Sequence, residues 1–141
     1  MSTQMRRVGI KMIEMSKEKV LHAIMKSLKK NLPCPVTRIA VFGGVLNKPW
    51  PRKDVDVLVK APWSECWSDA LDDPGIDDII YEVNEKATKA AKKTVDMWLH
   101  FPGLGELWHE EGREGVTEMY GFKPDVAFNV LSSSSLKLGN D

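Results

Sequence analysis

Cysteine and histidine are scarce, with two and three copies in 141 residues, and neither sign of charge is in excess. Cys34 and Cys66 form no CxxC and no zinc-ligand spacing, which argues against a dithiol redox motif and a cysteine-built metal site. They are read here as two free thiols in a reducing cytoplasm. His22 and His109 fall in segments expected to be helical and have no partner motif, so neither supports Cys–His or Ser–His hydrolysis. Lys and Arg number 20, Asp and Glu also 20, and the formal net charge is zero. Proteins that grip a long nucleic-acid backbone unaided usually carry a basic excess. Any such contact is therefore local or shared with a partner. No apolar run approaches the roughly 20 residues of a membrane span. Val8 to Met15 is broken by Lys11 and Glu14, too polar for a signal-peptide core. The expectation is a cytoplasmic protein with no membrane contact and no internal repeat.

What is present is an ordinary globular composition, 43% hydrophobic and 28% charged, at the length of a single domain. Residues 1–141 are expected to form one domain, with 1–7 and 132–141 as flexible tails. Ser16 is a good N-cap, and Val20, Leu21, Ile24, Met25, Leu28 and Leu32 follow at helical spacing. Thr37 to Phe42 reads as a strand that runs into Gly43-Gly44. Asp54 to Lys60 is a second strand, with Val55, Val57 and Val59 on one face and Asp54, Asp56 and Leu58 on the other. Ser64 to Leu71 is a short candidate helix. Asp73-Pro74 predicts a capped helix start, and Ile76, Ile79, Ile80, Val83, Ala87, Ala90 and Ala91 give its apolar stripe. Thr94 to Phe101 alternates as a third strand. Gly103 to Glu111 is expected as a short helix and Asp125 to Leu131 as a fourth strand. This order suits an α+β fold, a mixed sheet with helices packed on one face.

The chemistry gathers around the second strand. A glycine pair, nine residues, then Asp54-Val55-Asp56-Val57 places a turn of close backbone approach before two carboxylates at i and i+2. Backbone amides at such a turn can meet phosphate oxygens, and the two carboxylates share a face. Carboxylate oxygens suit Mg²⁺, and paired divalent ions stabilise both oxygens of a phosphoryl transfer. A third carboxylate would complete the set. Asp96, 40 residues after Asp56 and on the polar face of the third strand, is the candidate. Asp125, after Pro124, is its rival.

VFGGVLNKPWPRKDVDVLV followed by VDM resembles the nucleotidyltransferase superfamily of DNA polymerase β, in element order from about Ser16 to Phe101. The resemblance implies a nucleotidyltransferase-like sheet and transfer of a nucleoside monophosphate from an NTP to a hydroxyl, releasing pyrophosphate. It implies Mg²⁺ or Mn²⁺ on Asp54, Asp56 and Asp96, with Asp96 also as general base, and Gly43 and Gly44 against the triphosphate. Gly44 matches the tRNA CCA-adding and poly(A)-adding members; the Gly-Ser members have serine there. The Arg-Asp of the CCA-adding type is replaced by Leu46-Asn47. The acceptor stays open between a small molecule, a protein and tRNA, with a partner subunit or second copy to present it. An inactive copy of the fold, acting as a binding or regulatory module, is the alternative.

Around this centre, Lys48, Arg52 and Lys53 are candidates to neutralise phosphate charge, Lys53 first among them. Trp98 shares the face of Asp96 and is expected mainly to pack. His100, four residues along, is too far to ligate the same ion and is expected at the surface or behind the site. Trp50, Trp63, Trp67 and Trp108 are expected at the core edge or on a partner surface. The acidic stretch from Asp69 to Asp78 lacks EF-hand spacing; Asp73, Asp77 and Asp78 suit a helix start instead.

Overall fold

The structure, a computed structural model, describes residues 15–110, 112–115 and 129–130. The first helix, α1 (Lys17–Asn31), starts where the sequence puts its cap: the Ser16 hydroxyl accepts the Lys19 amide at 3.2 Å. This satisfies one amide that the first helical turn leaves open. Lys29 and Lys30 sit in its last turn, where cations offset the helix dipole. Strand β1 (Arg38–Phe42) passes through Gly43 into a single helical turn, α2 (Gly44–Asn47). Strand β2 (Asp54–Lys60) follows, then α3 (Glu65–Ala70), a wide turn over Leu71–Gly75, α4 (Ile76–Ala91) and β3 (Thr94–Phe101). β4 (Glu106–His109) and β5 (Gly112–Gly115) form a hairpin, and β6 (Asn129–Val130) ends the described chain.

The strands make one mixed sheet in the order β5-β4-β3-β2-β1-β6. β2 and β3 run parallel and the other neighbours antiparallel. A parallel pair needs a long crossover, which α3 and α4 supply. Strand alternation then divides the side chains. Ile39, Val41, Val55, Val57, Val59, Val95, Met97, Leu99 and Phe101 face the helices and share their core. Among the described residues, the buried apolar side chains of all four helices join this one core. The protein is therefore an α+β fold with helices packed against a mixed sheet. The opposite sheet face carries a smaller apolar cluster of Phe42, Leu58, Trp98 and Leu107. Trp67 is fully buried, donates its indole N–H to the Pro35 carbonyl at 2.9 Å and meets Phe101 edge-on. Burying a large apolar side chain of this kind stabilises by roughly 1.5–3 kcal/mol. No described helix is long and apolar enough to cross a membrane.

Several expectations are corrected. Cys34 and Cys66 are not free thiols; they form a disulfide that ties the chain after α1 to α3. Where a helix is expected over Gly103–Glu111, the described residues form a turn at 103–105 and then β4, because Glu106, Leu107 and Trp108 pair with Phe101, His100 and Leu99; Glu111 lies outside the described residues. Asp73 does not cap α4. It is extended, and Gly75, at φ 101°, precedes the first helical residue. His100 is buried, not at the surface. Trp67, expected at the core edge, is fully buried; Trp50 and Trp108 do pack at that edge, and Trp63 is exposed with its ring edge-on to Phe101. Both expected tails, Asp125 and most of the strand expected over Asp125–Leu131 lie outside the described residues; Asn129–Val130 of that segment pairs with β1.

Candidate active site

The site lies on the sheet face opposite the helices, where β1 ends and β2 and β3 begin. Val55 and Val57 are drawn into the core, so Asp54 and Asp56 must point the other way. On β3, burial of Val95 and Met97 does the same for Asp96. The parallel register sets Asp56 directly beside Asp96, on neighbouring strands about 4.8 Å apart. Asp54 sits one repeat along the same face. The register is extended beyond the strand by the Thr94 amide, which donates to the Lys53 carbonyl at 3.0 Å.

The free edge of β3 is held from α4. Its β4 neighbour stops at His109, leaving the Val95 and Met97 amides beyond the hairpin. The Val95 amide donates to Thr88 Oγ1 at 2.9 Å and the Met97 amide to Asn84 Oδ1 at 2.7 Å. Thr88 and Asn84 are one helical turn apart, so they bracket Asp96 from behind.

Gly43 turns the chain at φ +74°, and a Cβ there would lie 2.9 Å from Asp56 Oδ2. The glycine is needed twice: for the positive φ and for room beside the carboxylate. Gly44 has no such φ, but a Cβ on it would meet Arg52 Nη2 at 2.6 Å. Arg52 thus lies over the glycine pair, and its Nη2 is 3.9 Å from Asp54 Oδ1. Its Nε is buried with no hydrogen-bond partner among the described residues. Lys53, the cation favoured from sequence, is exposed; Arg52 is the one placed against Gly44 and Asp54.

The electrostatics are unbalanced at Asp56. Burial, then Asp96, then Asp54 push its pKa up from 3.8 to about 6, with His109 and Arg52 pulling in the opposite direction. Asp56 thus sits partly buried beside two further carboxylates that raise its pKa, which is the setting of a cation-binding or acid–base site.

His109 is the functional candidate that sequence reasoning missed. It is not helical; β4 carries it onto the site face, where Nε2 lies 2.5 Å from Asp96 Oδ1. Its ring stacks on Trp98 with centroids 3.9 Å apart. Glu110 follows on the hairpin turn, and one ligand atom each from Asp96, His109 and Glu110 lie within 4.8 Å of one another. The available signal was the alternation of Leu107 and His109, two residues of a four-residue strand. His100 lies at the other end of this face beside Lys60; burial and then Lys60 hold its imidazole below the usual pKa. It takes no part in the carboxylate group. His22, exposed on α1, is also apart from it.

The arrangement can bind a cation through carboxylates, hold an anion near Arg52, and accept a proton at Asp96. Comparison of the chain with protein families, with curated proteins and with solved structures found no match.

Proposed function

We propose that this protein is a metal-dependent nucleotidyltransferase of the DNA polymerase β type, moving a nucleoside monophosphate from an NTP to an acceptor hydroxyl with release of pyrophosphate. One observation carries the reading. Asp56 and Asp96 are side by side on a parallel strand pair, with Asp54 on the same face, and Asp56 lies against a glycine of positive φ. The donors fit a hard divalent cation, and the raised pKa of Asp56 marks negative charge that a cation would relieve. Asp54, Asp56 and Asp96 would hold Mg²⁺ or Mn²⁺, which would offset charge developing on the phosphoryl oxygens.

The chain's own groups supply the rest. Gly43 and Gly44 leave the turn without side chains, so a triphosphate can approach the backbone. Arg52 offers a guanidinium whose Nε is unsatisfied among the described residues, suited to a phosphate oxygen. Lys53, exposed on the same loop, supplies a second cation. Asp96 accepts the proton of the attacking hydroxyl, and His109 fixes its carboxylate through the Nε2 contact. The acceptor is a small molecule, a protein or tRNA, presented with or without a partner subunit.

The test is label transfer from α-labelled NTPs into pools of small molecules, protein and tRNA. Wild type is expected to transfer label in a metal-dependent manner. Asp96→Asn is expected to lose at least a hundredfold, within the usual range for a positioned general base. Transfer undiminished in Asp96→Asn would overturn the assignment. NTP binding without transfer to any acceptor would favour an inactive copy of the fold.

A further inference from the structure

Three features lie beyond the carboxylate trio. The first is the lysine-lined groove between α1 and α4, with Lys26, Lys30, Lys86 and Lys89 along it. The second is the basic end of the sheet face at Arg38, Lys60 and His100. The third is the hairpin edge of the site, where Asp96, His109 and Glu110 meet.

We propose that Asp96, His109 and Glu110 form a mixed nitrogen–oxygen cation site that gives this centre a preference for a first-row transition cation over Mg²⁺. The inference deepens the nucleotidyltransferase reading by naming the class of cation, and it rests on that reading only for the cation's use.

The three donors come from two strands and a turn, yet their ligand atoms converge within 4.8 Å. His109 is no loose surface imidazole. It is 6% exposed, it stacks on Trp98, and β4 pairing fixes its backbone. Its Nε2 already faces Asp96 Oδ1. A cation bound between them would take the place of this contact, with the carboxylate ionised and the ligating nitrogen unprotonated, as metal ligands must be. Asp96 is about one-third exposed and Glu110 lies on the surface, so entry from solvent is open and Glu110 can close over the ion. The donor chemistry decides which ion. Mg²⁺ takes oxygen ligands and keeps its waters, whereas imidazole nitrogen suits first-row transition metals. Asp54 and Asp56, with oxygen donors alone, confer no such preference.

The experiment uses the full chain without nucleotide, so its outcome is separate from that of NTP binding. Mn²⁺ is titrated by electron paramagnetic resonance and Mg²⁺ by calorimetry, and bound Mn²⁺ is examined by pulsed resonance for coupling to ¹⁴N. The expected result is Mn²⁺ affinity at least about tenfold above that for Mg²⁺, with nitrogen coupling in wild type. His109→Gln should remove the coupling and lower Mn²⁺ affinity by on the order of tenfold to a hundredfold, a clearly larger loss than the one it causes for Mg²⁺ by loosening Asp96. Glu110→Gln, at an exposed position that does not endanger folding, should weaken Mn²⁺ and retain the coupling. Equal affinity for the two ions, bound Mn²⁺ without nitrogen coupling in wild type, or absence of Mn²⁺ binding would each overturn the proposal. Normal Mg²⁺-dependent NTP binding beside any of these results would sink this inference alone.

Discussion

Asp56 is the residue on which the cost of the site is concentrated. Its carboxyl is partly buried beside Asp96 and Asp54, and its pKa stands at about 6 against an ordinary 3.8. Between those values the folded protein holds a proton that the unfolded chain has released. The resulting stability is present below about pH 4 and is lost as pH rises through about 6. Asp56→Asn removes that loss. In cation-free buffer at pH 7 the variant is expected to exceed wild type by about 1–2 kcal/mol, a figure reduced for the partial exposure of the group. At pH 4 the difference should vanish. Thermal melts at both pH values with a chelator check this, and a variant no more stable at pH 7 would contradict it. Gly43→Ala makes the opposite kind of prediction. At φ 74° and ψ −139° Gly43 has a conformation kept essentially for glycine, which costs an L-residue on the order of 1–3 kcal/mol, and the added methyl would meet Asp56 Oδ2 at 2.9 Å. Denaturant melts should show that loss, and metal affinity should fall with it. Gly44→Ala should cost less, since only the flexible end of Arg52 must move. At this scale the face taken by Asp54, Asp56 and Asp96 was legible, because a two-residue period fixes which face a strand side chain takes. His109 was not. Its place depends on the pairing of Leu99 with Trp108, which leaves no trace within four residues of sequence.

Among the elements, α4 does more than cover the sheet. Its Asn84 and Thr88 side chains accept the Met97 and Val95 amides on either side of Asp96, doing for β3 what a neighbouring strand would have done. Asn84→Leu keeps the volume roughly constant but leaves the buried Met97 amide without an acceptor. The expected loss is about 1–3 kcal/mol by denaturant melt, with weaker metal binding as Asp96 loosens. Unchanged stability would show that the contact adds nothing. Both strands of the site were legible to their ends: alternation alone delimits Asp54–Lys60 and Thr94–Phe101, and Ser16 announces α1. The start of α4 was not, because Asp73-Pro74 suits a helix cap and also an extended turn. Here the turn prevails and Gly75 begins the helix. Gly103 to Glu111 misled because a four-residue strand is too short to display its period; its conformation comes from its partner, β3.

For the molecule as a whole, the Cys34–Cys66 disulfide links the segment after α1 to α3 across 32 residues. Spacing gave no sign of it, since the pairing depends on how the helices meet over the sheet. Closing a loop of this length restricts the unfolded chain by roughly 3–4 kcal/mol in the chain-entropy model. Reduction, or Cys34→Ser with Cys66→Ser, should lower the denaturation midpoint accordingly while leaving metal affinity nearly unchanged, because the bridge lies among the helices and the carboxylates face away from them. Under the proposed function, Asp54, Asp56 and Asp96 form a metal-dependent nucleotide site. Its most direct test is calorimetric titration of ATP, CTP, GTP and UTP with Mg²⁺ or Mn²⁺ into wild type and into Asp54→Asn/Asp56→Asn. Wild type is expected to bind at least one NTP in a metal-dependent manner, and the double variant none. No binding of any NTP by folded wild type with either metal, or equal binding by the double variant, would contradict it.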